Sequence, residues 1–141
     1  MLSIYPACFF KEESGYSVIF PDLNYTSTCG NTLDEAVIMA VDCLAGYIYA
    51  AQKDGEPIPP PSDISSINLS DIAAELDESA GEAFVNLITV DVSEYAKSHF
   101  EESVEKILTI PAWLNNTAIE HNINFSAVLQ EALKTQLNIY D

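Results

Sequence analysis

The chain has 141 residues and a formal net charge of -17, from 22 acidic against 5 basic side chains, and no arginine. That balance excludes a nucleic-acid binder that neutralises phosphates along its whole length, since Lys and Arg contacts supply most of that affinity. A hydrophobic fraction of 48% excludes a chain too polar to form a core.

The charge is uneven. Eighteen of the 22 acids, but only three of the lysines, fall in residues 1–102, and a region of this sign repels nucleic acid and attracts a basic protein. The start, MLSIYPACFFKEE, has no basic n-region, so no signal peptide is expected. No apolar run nears the ~20 residues that span a membrane. Cys8, Cys29 and Cys43 show no CxxC spacing and read as the reduced thiols of a cytoplasmic protein.

Leu2 to Phe10 are nearly all strand formers, and Tyr16 to Phe20 resume the pattern after the polar break Lys11 to Gly15, which predicts a hairpin. Pro21-Asp22-Leu23-Asn24 is turn chemistry, and Tyr25 to Cys29 reads as a third, edge-like strand. Thr32-Leu33-Asp34-Glu35 is a capping box, in which the Thr32 hydroxyl accepts from the Glu35 amide and the Glu35 carboxylate reaches back to the Thr32 amide. Ala36, Val37, Ala40, Val41, Leu44, Ile48 and Ala51 then recur at helical spacing, so one stripe of a long helix packs on the sheet. The helix ends at Lys53-Asp54-Gly55.

Glu56 to Ser62, with four prolines, is a stiff extended connector. Asn68 to Glu78 reads as a short acidic helix opened by Ser70-Asp71, Ala83 to Val92 as a fourth strand, and Ser93 to Ser103 as a polar tether with room for helix in part of it. The sum is an antiparallel sheet with one long helix on a single face, a small α+β layer pair.

Beyond the tether, Lys106 to Ile110 alternates and is stopped by Pro111; two helical patterns follow, separated by an Asn-rich turn. A lone strand with one apolar face needs a partner for its edge and its buried side. Strand-helix-helix therefore calls for a second copy, as in a ribbon-helix-helix dimer.

The residues just described carry a resemblance. Phe20-Pro21-Asp22-Leu23, Cys29 to Ala36 and Asp54-Gly55-Glu56-Pro57-Ile58-Pro59 resemble the HicB antitoxins. Lys106 to Pro111 and Asn122 to Ser126 look like the subgroup whose DNA-binding half is ribbon-helix-helix. The resemblance implies a partial ribonuclease-H-like toxin-binding domain over 1–92, a tether over 93–103, and a ribbon-helix-helix domain over 104–141. It further implies a HicA-like partner, a small basic mRNA-cleaving toxin, and repression of the chain's own operator by the C-terminal half.

The site residues follow. Glu105, Ile107 and Thr109 form the outward face of the ribbon, Lys106 swings to a phosphate, and Asn124 caps the second helix so that the Phe125 and Ser126 amides meet a phosphate. The dimer core draws on Leu108, Ile110, Trp113, Leu114, Val128, Leu129 and Leu133, and Ala118, Ile119, Ala132, Leu137 and the ring of Phe125, expected to be buried, join it. Asp22, Asp34 and Glu35 are candidates for the toxin-facing surface, and Glu75, Asp77, Glu78 and Glu82 read as a solvated acidic face or a part of the same surface. Glu, Ile and Thr with so little positive charge make a weak DNA reader, so operator binding is expected to be poor alone and tighter with the basic toxin.

Two other classes stay open: a stand-alone transcriptional regulator that senses a ligand, and a two-metal nuclease. The nuclease is disfavoured because Leu2 to Phe10 holds no carboxylate. His99 and His121 have no Cys or second His at ligand spacing. No catalytic residue, metal or cofactor is expected. The expected assembly is a homodimer, with the N-terminal sheets available for a further pairing into a tetramer.

Overall fold

The computed structural model of the chain describes residues 1–76 and 81–139, in two units, Met1–Glu102 and Ser103–Asp141. The first is organised on β1 (Leu2–Lys11), flanked by β2 (Tyr16–Phe20) and β4 (Ala83–Asp91), with β3 (Thr26–Gly30) outside β2. All three pairings are antiparallel. β4 runs beside β1 from Leu2 to Phe10, whereas β2 joins only from Cys8 to Lys11.

That difference explains a proline inside the middle strand. Pro6 sits where β2 has already turned away, so its missing N–H faces no neighbouring strand. Opposite it, the Leu87 amide donates to Asn86 Oδ1 at 3.0 Å instead of to β1.

The pleat sends alternate side chains of β1 to two cores. Tyr5, Ala7 and Phe9 pack with Ala36, Ala40, Leu44 and Ile48 of α1 (Leu33–Asp54). Cys8 and Phe10 pack on the other face with Ile19 and with Ile72 and Ala73 of α2 (Leu69–Glu75). The small residues of α1 let it lie close to the sheet. At Gly30 the approach is closest, for an added Cβ would meet the Ala36 nitrogen at 2.3 Å.

The start of α1 is capped as expected on one side, with the Glu35 amide donating to Thr32 Oγ1 at 3.1 Å. The Glu35 carboxylate, however, accepts from the Asn31 amide and not from that of Thr32. Val37 is exposed, while Val41 lies partly buried against the core. At the other end Gly55 takes a left-handed φ of 67°, and the Glu56 amide donates back to the Ala51 carbonyl. The connector is strapped to the sheet: Tyr5 donates to the Pro59 carbonyl, and the Ser62 amide donates to Asp22 Oδ2 at 2.8 Å. α2 is opened by Asn68, which accepts from the Asp71 amide, rather than by Ser70-Asp71. Asp77 and Glu78 lie outside the described residues.

The segment expected as a tether over 93–103, helical in part, begins in a helix. Val92–His99 is a helix, α3, capped by Asp91 and packed on α1. Val92 and Ala96 are buried, and Tyr95 donates to Asp42 Oδ1 at 2.8 Å. Burial first, then that hydrogen bond, pushes the Tyr95 hydroxyl up to about 12, so it remains a donor throughout the neutral range.

In the second unit, α4 (Ala112–Glu120) and α5 (Phe125–Gln136) form where two helices are expected. Residues 101–110 make no strand. A strand exists only as a member of a ladder, and no described segment pairs with this one.

Gly30→Ala should destabilise the first unit by about 1–3 kcal/mol, read as a lowered urea midpoint with an unchanged slope; an unaltered midpoint would show that α1 is not held so closely. Burial pushes the Cys8 thiol up to about 11 and also raises Cys43, while Cys29 is exposed. Alkylation of the native protein near pH 8 should therefore label Cys29 first, the partly buried Cys43 more slowly and the buried Cys8 only on unfolding, as mass spectrometry would show.

Candidate functional site

The second unit shows a plain imbalance between its sequence and its packing. Among its described residues none is buried, and thirteen large apolar side chains are exposed, from Val104 to Ile139. Trp113 on α4 is 69% exposed and Val128 on α5 is 55% exposed. The two helices scarcely touch each other. Local order is nonetheless well specified. Asn122 takes a left-handed φ of 54° in the turn, and the Ile123 amide closes back on the Ala118 carbonyl at 3.0 Å. Asn124 then caps α5, accepting from the Ala127 amide at 3.1 Å. Caps thus close the turn between the two helices, whereas α4 starts at Pro111 with no side-chain cap, and the apolar stripes are left without cover.

The residues assigned to a dimer core share this exposure. Leu108, Ile110, Trp113, Leu114, Val128 and Leu133 are exposed, and Leu129 is half-buried. Val128 and Ala132 line a shallow, open strip along α5. In the segment before Pro111, Ile107 is 99% exposed, Leu108 59% and Ile110 42%. Glu105, Lys106 and Thr109 lie exposed in the same segment. The N-cap leaves the Phe125 and Ser126 amides without a hydrogen-bond partner among the described residues. Phe125 itself is exposed, so the burial expected of its ring is not met within one chain.

The three acids assigned to the partner-facing surface do not come together. Asp22 lies in the turn at the Phe20 end of the β2–β3 ribbon, where both carboxylate oxygens accept from Ser62. Asp34 and Glu35 lie at the other end, just past Gly30, in the first turn of α1. There the exposed apolar side chains Leu33, Val37 and Ile38 adjoin them. Asp34, Val37 and Ile38 stand at helical spacing on one stripe. Sequence reading missed this apolar patch, because Val37 fits the periodicity of the buried stripe and only the packing of Ala36 and Ala40 decides which side faces in.

His99 stacks on Tyr95 with ring centroids 3.8 Å apart, and its Nδ1 lies 2.9 Å from the Tyr95 carbonyl oxygen. His121 meets the Thr117 carbonyl oxygen at 2.8 Å. Both are held within their own helices. Among the described residues no cluster of three or more His, Cys, Asp or Glu side chains is placed to hold a metal. No described helix is long and apolar enough to cross a membrane.

Comparison with known proteins bears on this geometry. The chain resembles, at 32% identity and a TM-score of 0.62, a chain of a toxin–antitoxin complex from Streptococcus pneumoniae, over 96% of its own length and 99% of the other. It is 40% identical over 58 residues to Antitoxin HicB 2 of Photorhabdus laumondii, a match spanning 41% of this chain and 42% of that relative. It is 29% identical over 113 residues to an uncharacterized 14.9 kDa protein of Haemophilus phage HP1, covering 79% of this chain and 75% of the phage protein. Residues 5–114 match the family described as the HicB-like antitoxin of bacterial toxin–antitoxin systems. With that match spanning most of both strand-bearing and helical parts of the first unit, the chain belongs to the HicB-like antitoxin family.

Proposed function

We propose that the chain is an antitoxin, a binding protein and not an enzyme, that acts in the cytoplasm. Its first unit occludes a small basic HicA-like mRNA-cleaving toxin, and its second pairs two-fold as a ribbon-helix-helix that represses its own operon. The observation that carries this reading is the uncovered apolar surface of residues 103–139, on two helices joined by the capped turn at Asn122 and Asn124, behind a segment that has no strand partner among the described residues.

Burying a Leu, Ile or Phe side chain contributes ~1.5–3 kcal/mol. Covering a third of the thirteen contributes on the order of 10 kcal/mol, which is comparable with the roughly 4–15 kcal/mol that association costs. A stable pair must therefore cover most of the stripe, as two interlocked copies of α4 and α5 would. In that pair residues 104–110 of the two chains supply each other's strand, with Leu108 and Ile110 inward and Glu105, Ile107 and Thr109 toward the major groove. Lys106 and the Phe125 and Ser126 amides supply the phosphate contacts.

The first unit is read as a reduced ribonuclease-H-like sheet that covers the toxin. The patch of Leu33, Asp34, Glu35, Val37 and Ile38 supports this, because it joins exposed apolar area to carboxylates in a region that is strongly acidic. Such a surface suits a basic partner in both sign and desolvation. Asp22 takes a lesser part, since its carboxylate already holds the connector.

Two measurements test the proposal. In a mobility-shift assay with DNA from upstream of its gene, the lone protein should bind weakly and the toxin should tighten binding; strong binding at physiological salt, unchanged by toxin, would refute the assignment of charge to the toxin. Asp34→Lys combined with Ile38→Asp should weaken toxin binding at least about tenfold, or ~1.4 kcal/mol, by titration calorimetry on a folded variant. Unaltered affinity would remove the first turns of α1 from the interface.

A further inference from the structure

At the far end of β1 the first unit holds one of its own cations in a corner of aromatic rings. Just past the pairs Phe9–Phe84 and Phe10–Ala83, the Lys11 amide donates to the Glu82 carbonyl at 2.9 Å, and the Lys11 ammonium meets Glu82 Oε2 at 3.1 Å. On its other side Lys11 stands opposite Tyr16 of β2. The alternation of the pleat puts Tyr16, Lys11, Phe9 and Phe84 on the face that carries α1. The Phe84 ring stacks on Phe9, with centroids 4.9 Å and planes 6° apart, and Tyr16 stands edge to face with it at 6.3 Å. Phe9 is buried, whereas Phe84 is exposed, and Lys11 and Glu82 keep half or more of their side chains in water. An ion pair so exposed adds little to stability. The corner also adjoins the first turn of α1, since Tyr16 pairs with Gly30 and Gly30 lies against the Ala36 backbone.

We propose that Phe84, Tyr16 and Glu82 form the socket for an arginine side chain of the basic partner, and that Lys11 occupies it in the free chain. This rests on the antitoxin reading above and deepens it by naming the group the partner inserts. A guanidinium is planar: it stacks on an aromatic face and offers two parallel N–H donors to one carboxylate. An ammonium is a point charge and makes neither the stack nor the paired bonds, so a partner lysine would gain nothing over Lys11. The incoming arginine takes the Glu82 carboxylate and lies on the exposed part of the Phe84 ring, while Lys11 swings into water on its flexible stem. Lys11 is one of only three lysines among residues 1–102, against eighteen acids. It is therefore the one local cation that opposes a basic partner at this corner, and it competes directly for Glu82.

The test titrates the full chain with the basic protein encoded beside its gene, separated from the chain and refolded. Lys11→Met should tighten binding, and Glu82→Gln and Phe84→Leu should each weaken it, all by about three- to tenfold. The opposite signs matter, because a corner that only braced the fold would lose affinity in all three variants or in none. If Phe84→Leu does not fold by circular dichroism, the exposed pair Lys11→Met and Glu82→Gln carries the comparison. The chain contains no arginine, so phenylglyoxal labelling of the complex reports on the partner alone. At least one partner arginine should be protected by the wild-type chain and should react in complexes with Glu82→Gln. Binding by wild type that Lys11→Met fails to tighten, or arginine protection that Glu82→Gln leaves intact, would overturn the socket and leave the antitoxin reading standing. A wild-type chain that does not bind the basic protein at all would overturn that reading and the socket with it.

Discussion

Thirteen large apolar side chains on residues 103–139, with no buried residue among them, are the constraint on which the rest of the structure depends. Caps at Asn122 and Asn124 can shape two helices, but helices of nine and twelve residues are marginal in water without tertiary packing. Their stability has to come from outside the chain. On the reading proposed above, a second copy of the chain supplies that packing.

The first unit meets the opposite condition. Its two cores sit on the two faces of one strand, and α1 is drawn onto β3 so closely that Gly30 admits no side chain. This unit folds on its own contacts, which frees its surface for recognition. Carboxylates are engaged where they brace the fold: Asp22 holds the connector, Asp91 caps α3, and Asp42 anchors Tyr95. The acids at the first turn of α1 stand instead beside exposed apolar side chains, where a partner can use both.

Much of this was legible in the sequence where a local rule decides the outcome. The capping box at Thr32, the glycine stop at Gly55, the proline connector and the Asn124 cap depend only on neighbouring residues. What depended on packing was harder to see. α3 looks like a tether because most of its residues are polar and only Val92 and Ala96 are buried. Val37 shares the period of the buried stripe yet faces out, for the alanines set the side of closest approach. Pro6 inside the middle strand becomes intelligible only when β2 is seen to leave before reaching it. The segment before Pro111 alternates like a strand in sequence yet forms none here, because alternation specifies a pleated face but not the neighbour that a ladder requires.

Hydrogen exchange of the full-length protein, followed across residues 104–110 at several concentrations, tests the central claim most directly. An intermolecular ladder predicts that alternate amides in this segment are protected, and that their protection is lost on dilution while β1 keeps its own. Rapid exchange at every amide of 104–110 at all concentrations, beside a fully protected β1, would contradict the account.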